Sequence, residues 1–389
     1  MVWRESCAMD ERTRFIADWL CGGWTMVELC ERYGISRKTG YKWLGRYHEH
    51  GPGGLAERSH APFQHGRATP KALAEAIVAL RQERPGWGPK KIVAKLSGAA
   101  PEAAWPSAST AGEILKRAGL VTGRRLRRRV PPIPGGLTVP KHANHVWAAD
   151  HKGWVRLKDG TRCEPLTITD GFSRYLLQLS TGGSTREAEA RPLFEEAFLE
   201  FGLPEAIRTD NGPPFANAGT TGLTALSVWW LKLGIRHERI TPGHPQQNGR
   251  HERFHLTLLP AMHPVAANAA EQRRRFAAFT KEYNEERPHE ALGQKPPSAF
   301  YRRSERCLPD KLEEPCYPAE AAVRKVRSNG EIKWQGALVP ISTALAGEAV
   351  ALEETETGDW LVRFYAAPIG VIRRGEARFS RLPEERAAS

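Results

Sequence analysis

Residues 141–180 read KHANHVWAADHKGWVRLKDGTRCEPLTITDGFSRYLLQLS. Short apolar runs at 144–153, 164–172 and 173–180 are separated there by turn-forming residues. Runs of that length, rich in Val, Ile, Leu and Tyr, predict adjacent antiparallel strands. Downstream the pattern alternates. Arg186–Phe201 carries Ala190, Phe194, Ala197 and Phe198 at helical spacing, and PEAIRTDNG (204–212) is a short strand running into an Asn-Gly turn. A helix over 223–233, a strand over 235–239 and a helix from about Pro245 to Leu259 complete the run. Three strands followed by helix–strand units predict an α/β layer on a mixed five-stranded sheet, spanning 140–303.

Upstream the periodicity is helical. In residues 11–50, Phe15, Ile16, Trp19 and Leu20 form one apolar face, and Val27, Leu29 and Cys30 begin a second. In ERYGISRKTGYKWL (31–44), Gly34 can end one helix in the left-handed conformation and Ser36 can cap the next. Helix, tight turn and capped helix predict a helix-turn-helix over 1–58. Its third helix presents Arg37, Lys38, Thr39 and Lys42 for base edges and phosphates, with Tyr41, Trp43 and Leu44 on the buried side. Gly40 inside that helix reads as a weakness of about 1 kcal/mol relative to Ala. A Gly- and Pro-rich linker follows. A second helix-turn-helix-like unit is predicted over 68–130, with Leu73, Ile77 and Leu80 on one helix, Pro89 opening another and Ser107 capping a third. It ends in a basic tether containing Arg124, Arg125, Arg127, Arg128 and Arg129. Seven basic and no acidic residues lie between Lys116 and Arg129, which suits tracking of a DNA backbone. At the other end, residues 318–385 turn into short β segments with turns at Asn329-Gly330 and Gly358-Asp359, from which a small β-barrel is expected.

Charge follows the same division. Of the formal net charge of +13, residues 1–140 supply +11, from 23 basic and 12 acidic side chains. That asymmetry points to a nucleic-acid-binding arm on a near-neutral body. Six cysteines (Cys7, Cys21, Cys30, Cys163, Cys307, Cys316) form no CxxC pair, so a disulfide scaffold or Cys-rich zinc finger is not expected. No apolar run approaches the length of a membrane span, and the first residues lack the apolar core of a signal peptide. A reducing, cytoplasmic location is the expectation.

Three acids stand out in the α/β region. Asp150 ends the first strand, Asp210 ends another, and Glu252 lies in the helix after TPGHPQQNGR. A sheet brings its strand ends together, so such carboxylates can converge. Phosphodiester cleavage wants that arrangement, because two hard divalent cations held by oxygen ligands can serve both the attacking and the leaving oxygen. Each acid alone has a simpler reading as turn, strand-end or exposed helix residue. A competing motif overlaps the third acid. His251-Glu252-Arg253-Phe254-His255 is literally H-E-x-x-H, which on a helix can hold zinc in a peptidase. The extended form is absent, with Leu258 and Ala261 where its later residues would fall.

The region resembles the catalytic core of the DDE transposase and retroviral-integrase superfamily, in particular bacterial insertion-sequence transposases with a ribonuclease-H-like fold. The motifs that carry the resemblance are WAADHKG (147–153), TDNGPPF (209–215), PGHPQQNGRHERFHLTL (242–258) and YNEERPHEALGQKPPSAF (283–300). The resemblance implies that Asp150, Asp210 and Glu252 are catalytic and bind two Mg²⁺ or Mn²⁺ ions. The 41 residues between Asp210 and Glu252 exceed the spacing common in the family, which falls at the uncharged Gln246, so an insertion is expected in ANAGTTGLTAL (216–226). Asp170 is expected to orient a turn. His151, Lys152, Gln247, Asn248 and Arg250 lie beside the acids as candidate phosphate contacts. The function implied is a transposase that binds the terminal repeats of its element, cuts phosphodiesters at the ends and joins the 3′-hydroxyl to target DNA, as a homodimer or higher oligomer. The alternative is a sequence-specific DNA-binding regulator with an inactive core.

Overall fold

Caps written into the sequence set the first helices of the computed structural model, which describes residues 7–58, 68–121 and 136–382. These helices are α1 (Ala8–Leu20), α2 (Met26–Arg32) and α3 (Arg37–His50). Thr25 and Glu28 form a capping box on α2, and the Ser36 hydroxyl accepts from Thr39 N at 3.2 Å to start α3. Phe15, Ile16, Met26, Leu29, Trp43 and Leu44 fill the centre. The predicted faces need three corrections. Leu20 and Val27 are exposed, and Tyr41 is 59% exposed because it falls on the outer ridge of α3 with Lys38 and Lys42.

Gly40 also plays the opposite part to the one its helix propensity suggests. A Cβ there would lie 2.7 Å from Cys30 Sγ, 2.9 Å from Met26 Sδ and 3.1 Å from Phe15 Cζ. Its missing side chain lets α3 close onto α1 and α2. Gly40→Ala is therefore expected to destabilise this unit by about 1–3 kcal/mol through overpacking. Urea unfolding followed by tryptophan fluorescence would show a lower midpoint. A higher midpoint would mean that helix propensity outweighs the packing.

The chain divides into two compact units, Met1–Ala68 and Thr69–Ser389. The second opens with α4 (Lys71–Glu83), α5 (Pro89–Ala99) and α6 (Ala108–Arg117) around Ile77, Trp87, Ile92, Ala111 and Leu115. Ser107 caps α6 by accepting from Thr110 N. The tether arginines Arg124, Arg125, Arg127, Arg128 and Arg129 lie outside the described residues.

The central layer contains, in order, β1 (Val146–His151), the small hairpin β2 (Val155–Arg156) and β3 (Arg162–Cys163), β4 (Leu166–Asp170), β5 (Leu176–Leu179), α7 (Glu187–Phe201), β6 (Ala206–Thr209), α8 (Ala225–Lys232), β7 (Arg236–Arg239), α9 (Gly249–Met262) and α10 (Ala269–Lys281). Its five-stranded sheet has the order β5-β4-β1-β6-β7. β1 is antiparallel to β4 and parallel to β6, and β6 is parallel to β7, giving the mixed sheet expected. Strand alternation then sorts the residues of β1. Trp147 and Ala149 pack with Ile168 and Ile207 against Phe194, Phe198 and Trp230 of α7 and α8. The intervening residues, ending in Asp150, face the other side. That side carries α9, seated through Phe254, Leu258 and Met262 on Leu176 of β5 and on Phe276 and Phe279 of α10.

The end of α10 and the turn that follows also receive the helical segment before the core. Trp87 Nε1 donates to Glu282 Oε1 at 2.7 Å, Arg84 pairs with Glu286 at 2.7 Å and Lys90 with Glu290 at 2.5 Å.

The C-terminal segment contains β8 (Ala322–Lys325), β9 (Glu331–Trp334), β10 (Ala337–Pro340), β11 (Ala349–Glu354), β12 (Trp360–Phe364), β13 (Ala367–Ile372) and β14 (Phe379–Ser380). These strands do not form the predicted barrel. Five of them make an open antiparallel sheet in the order β14-β13-β12-β11-β8, and β9 and β10 pair only with each other. The hairpin buries Ile332 and Val339 together with Val350, Val362 and Phe364 of the sheet, so face-to-face packing replaces edge closure. Leu223 and Val228, before and within α8, join the same apolar cluster and dock this segment on the core.

Candidate active site

Two neighbouring parallel strands place the first two acids. In the register of β1 with β6, Ala148 is opposite Arg208. Asp150 and Asp210 each lie two residues further along, at the carboxyl ends of adjacent strands and on the same face of the sheet. Asp210 accepts from Gly212 N at 3.1 Å in the tight turn that follows β6.

Glu252 reaches the same place from α9. Asn248 Nδ2 is 3.5 Å from Asp150 Oδ2, and His255 Nδ1 is 3.9 Å from the same oxygen. Glu252 lies four residues after the first and three before the second, on the ridge that faces Asp150. Its side chain is exposed and it stands in the first turn of the helix. Gln246 is also exposed, but sits in the short 3₁₀ turn of Pro245–Asn248.

The electrostatics agree with convergence. Burial pushes the Asp150 carboxyl up to about 7, and the negative charges of Asp210 and then Glu252 push in the same direction. A carboxylate crowded by two others at the mouth of a sheet is a group that a divalent cation would return to its charged form. The donor set is all oxygen, which suits a hard cation such as Mg²⁺ or Mn²⁺.

The H-E-x-x-H motif also takes a definite shape. His251 and His255 are buried side by side, and their nearest ligand atoms lie with one of Asp150 within 4.8 Å of one another. The Thr167 hydroxyl stands between the imidazoles, 2.6 Å from His251 Nε2 and 2.9 Å from His255 Nε2, and donates to the Asp150 carbonyl at 3.0 Å. A hydroxyl has one proton and two lone pairs, so Thr167 is saturated if both Nε2–H groups donate to it. The Thr169 hydroxyl, 3.2 Å from His251 Nδ1, engages the other nitrogen of that ring. Burial lowers both histidines, His255 to about 3 and His251 well below its ordinary value, so both are neutral. They act as struts between α9 and β4. Thr167→Val would leave two buried imidazole nitrogens without their shared partner, at a cost of about 1–3 kcal/mol. The expected result is a lower denaturation midpoint. Unchanged stability would mean that the hydroxyl is not a shared acceptor.

Other predicted residues scatter. Asp170 is fully buried and accepts from Asn144 N, Ser173 N and Ser173 Oγ, so it orients its turn as expected. Gln247 is spent on Thr241, whose N–H it accepts at 2.7 Å. His151 packs against Phe215, with a ring separation of 5.8 Å, and still feels the charge of Asp210. Lys152 is close enough for its charge to favour ionised Asp150. Arg250 is exposed at the start of α9. In the N-terminal unit Arg37, Lys38 and Lys42 are exposed, while Thr39 belongs to the cap, 2.9 Å from Ser36 Oγ. Tyr41 takes its place on the outer face. The spacing of residues 38, 41 and 42 in the sequence already carries that signal.

Four models of known domains match the chain. Residues 140–245 and 233–297 match two models of an integrase core domain. Residues 11–63 match a helix-turn-helix domain and 39–115 a homeodomain-like domain. The chain is 28% identical over 233 residues to the insertion element IS407 uncharacterized 31.7 kDa protein of Burkholderia multivorans, covering 59% of this chain and 80% of that one. It is likewise 28% identical over 252 residues to the insertion element IS476 uncharacterized 39.2 kDa protein of Xanthomonas euvesicatoria, covering 63% of this chain and 70% of the relative. Among solved structures, a chain of the simian T-cell lymphotropic virus intasome in complex with PP2A regulatory subunit B56 gamma aligns with 18% identity and a TM-score of 0.37, over 78% of this chain and 98% of that one.

Proposed function

We propose, for a chain whose residues match integrase-core and helix-turn-helix domain models, that it is the transposase of an insertion element and that Asp150, Asp210 and Glu252 are its catalytic residues. The observation that carries this reading is the register of β1 and β6, which sets two acids side by side beneath the helix ridge of the third. The three carboxylates would hold two Mg²⁺ or Mn²⁺ ions. Such a pair supplies activation of the attacking oxygen and stabilisation of the leaving one in an in-line displacement.

The chain's own residues orient and confine that chemistry. Asn248 and His255 flank Glu252 and stand beside the Asp150 carboxylate, 3.5 and 3.9 Å from its Oδ2. The Thr167–histidine struts hold α9 to the sheet, so the acids keep their separation when DNA enters. Lys152, Asn248 and Arg250 contact phosphates near the cut. By sequence, the DNA contacts of α3 fall to Arg37, Lys38, Thr39 and Lys42. The outer face formed by Arg37, Lys38, Tyr41 and Lys42 is the better reader of the terminal repeats, with Thr39 retained as its cap. The arginine-rich tether follows the backbone between the DNA-binding units and the core. Water attack at the element's end leaves a 3′-hydroxyl, which then attacks target DNA. Two ends must be held at once, so the working form is a dimer or larger on DNA. Residues 1–58, 68–130, 140–303 and 318–385 act as end reader, second reader with tether, catalytic core and accessory β segment. The place of action is the nucleoid in the bacterial cytoplasm, where the element's DNA lies. Among the described residues no helix is long and apolar enough to cross a membrane.

Incubation with Mg²⁺ and a labelled duplex carrying the end of the element is expected to release a cut strand, and EDTA is expected to stop it. Cutting that persists in EDTA would rule out the metal-dependent mechanism. Binding without cutting in Mg²⁺ or Mn²⁺ would favour a DNA-binding regulator with an inactive core.

A further inference from the structure

A pocket opens beside the three acids, on the same face of the sheet, lined by Ala148, Thr169, Arg174, Arg208, Asn248 and Arg250 among others. Three arginines contribute to its lining. Arg208 stands opposite Ala148 in the register, one side-chain step before Asp210 on the same face. It pairs with Glu238 at 2.9 Å and donates to Thr138 O at 2.6 Å, yet its buried Nε has no partner among the described residues. Arg174 follows the Asp170 turn with a left-handed φ of 67°, a strained setting for a residue with a Cβ. Neither Arg174 nor Arg250 makes a side-chain hydrogen bond or ion pair among the described residues. Asp170 attracts Arg174, but its oxygens are occupied by Asn144 and Ser173.

Crowding like charges in a half-buried pocket costs free energy that an anion would return. Arg174 and Arg250 bring positive charge to the pocket lining without a side-chain partner among the described residues, and Arg208 adds a buried Nε that its pairing with Glu238 leaves unused. Forked guanidinium donors match the tetrahedral oxygens of a phosphate. Two strand residues separate this level from the acids, or about 6.6 Å, a distance comparable with that between neighbouring phosphates on one strand.

We propose that Arg174, Arg208 and Arg250 form a phosphate-binding site that holds the phosphodiester next to the one being cut. The position of that phosphate relative to the cut rests on the transposase reading, whereas the anion site itself rests on the pocket. The site fixes the strand on one side of the acids, and the strained turn at Arg174 is retained because it aims a guanidinium into the pocket.

The test has two arms. In the first, thymidine 3′,5′-bisphosphate is titrated into the full chain in EDTA and its binding is followed by calorimetry. Arg174→Asn, which tolerates the left-handed backbone, and Arg250→Gln, at an exposed position, are each expected to weaken binding at least tenfold. Asp150→Asn is expected to bind as tightly as wild type or more so. Equal affinity in wild type and both arginine variants, or no binding to wild type, overturns the site. In the second arm, a neutral methylphosphonate replaces the phosphate beside the cut. It should slow wild-type cutting at least tenfold and slow the arginine variants no further. An equal slowing in the variants overturns the assignment of that phosphate. If bisphosphate binding depends on the arginines while no DNA is cut, the anion site stands and the transposase reading fails. If DNA is cut while bisphosphate binding ignores the arginines, the reverse holds.

Discussion

Asp150→Asn, Asp210→Asn and Glu252→Gln are each expected to lower metal-dependent cutting of the element's end by about a thousandfold, equivalent to ~4 kcal/mol of transition-state stabilisation. The size follows from the arrangement. Asp150 and Asp210 end adjacent parallel strands, and Glu252 faces Asp150 from the ridge between Asn248 and His255. Each substitution keeps the shape and removes one negative charge, so a pair of divalent cations loses a ligand and part of its electrostatic hold. The fold should survive, because neutralising Asp150 relieves repulsion from Asp210 and Glu252. DNA affinity should be unchanged or slightly higher, since a negative charge facing phosphates has been removed. A gel-shift titration beside a single-turnover cleavage assay separates the two effects. Three variants that cut at the wild-type rate would place the chemistry elsewhere.

The second large effect belongs to the other compact unit. Lys38→Ala combined with Lys42→Ala is expected to weaken binding to the element's end by one to two orders of magnitude, while cutting at saturating protein stays within about twofold of wild type. The side chains are exposed on one ridge of α3 with Tyr41 between them, and Lys42 Nζ lies 4.6 Å from the Trp43 ring centroid. Removing one lysine–phosphate ion pair should lower the slope of log affinity against log salt by about 0.9. Removing a base-edge hydrogen bond would instead reduce discrimination against a mutated end by roughly 1–3 kcal/mol. Measuring affinity for cognate and scrambled duplexes across a salt series distinguishes the two. An unchanged affinity for both would remove α3 from the interface.

Much of the fold is legible in the sequence because its signals are local. Gly34 and Ser36 announce the turn and cap of α3, Ser107 caps α6, and the short apolar runs of β1, β4 and β5, separated by turn residues, give the antiparallel half of the sheet. What depends on distant partners is not legible there. Gly40 reads as a poor helix former until Cys30, Met26 and Phe15 are seen closing on it. The C-terminal strands carry the alternation of a barrel. Whether such strands close or stack depends on pairing between their ends, which local pattern does not encode, and the hairpin of β9 and β10 packs on the sheet face instead.

The candidate site divides the same way. Two of the acids stand out at strand ends and the third on a helix; the register brings Asp150 and Asp210 together, and the α9 ridge brings Glu252 to them. The H-E-x-x-H pattern does place two imidazoles together, but Thr167 and Thr169, distant in sequence, engage them as struts. Arg174 and Arg208 give no signal of their own, since an arginine after a turn and another in a strand are ordinary until both line one pocket.

The central claim is that Asp150, Asp210 and Glu252 make one divalent-metal centre. Titrating Mn²⁺ into wild type and the three single variants, with bound ion read by electron paramagnetic resonance, tests it without requiring turnover. The account predicts two bound ions per chain in the wild type and a clear loss of binding in Asp150→Asn, Asp210→Asn and Glu252→Gln alike. Wild-type binding in all three variants, or binding that depends on His251 and His255 but on neither Asp210 nor Glu252, would contradict it.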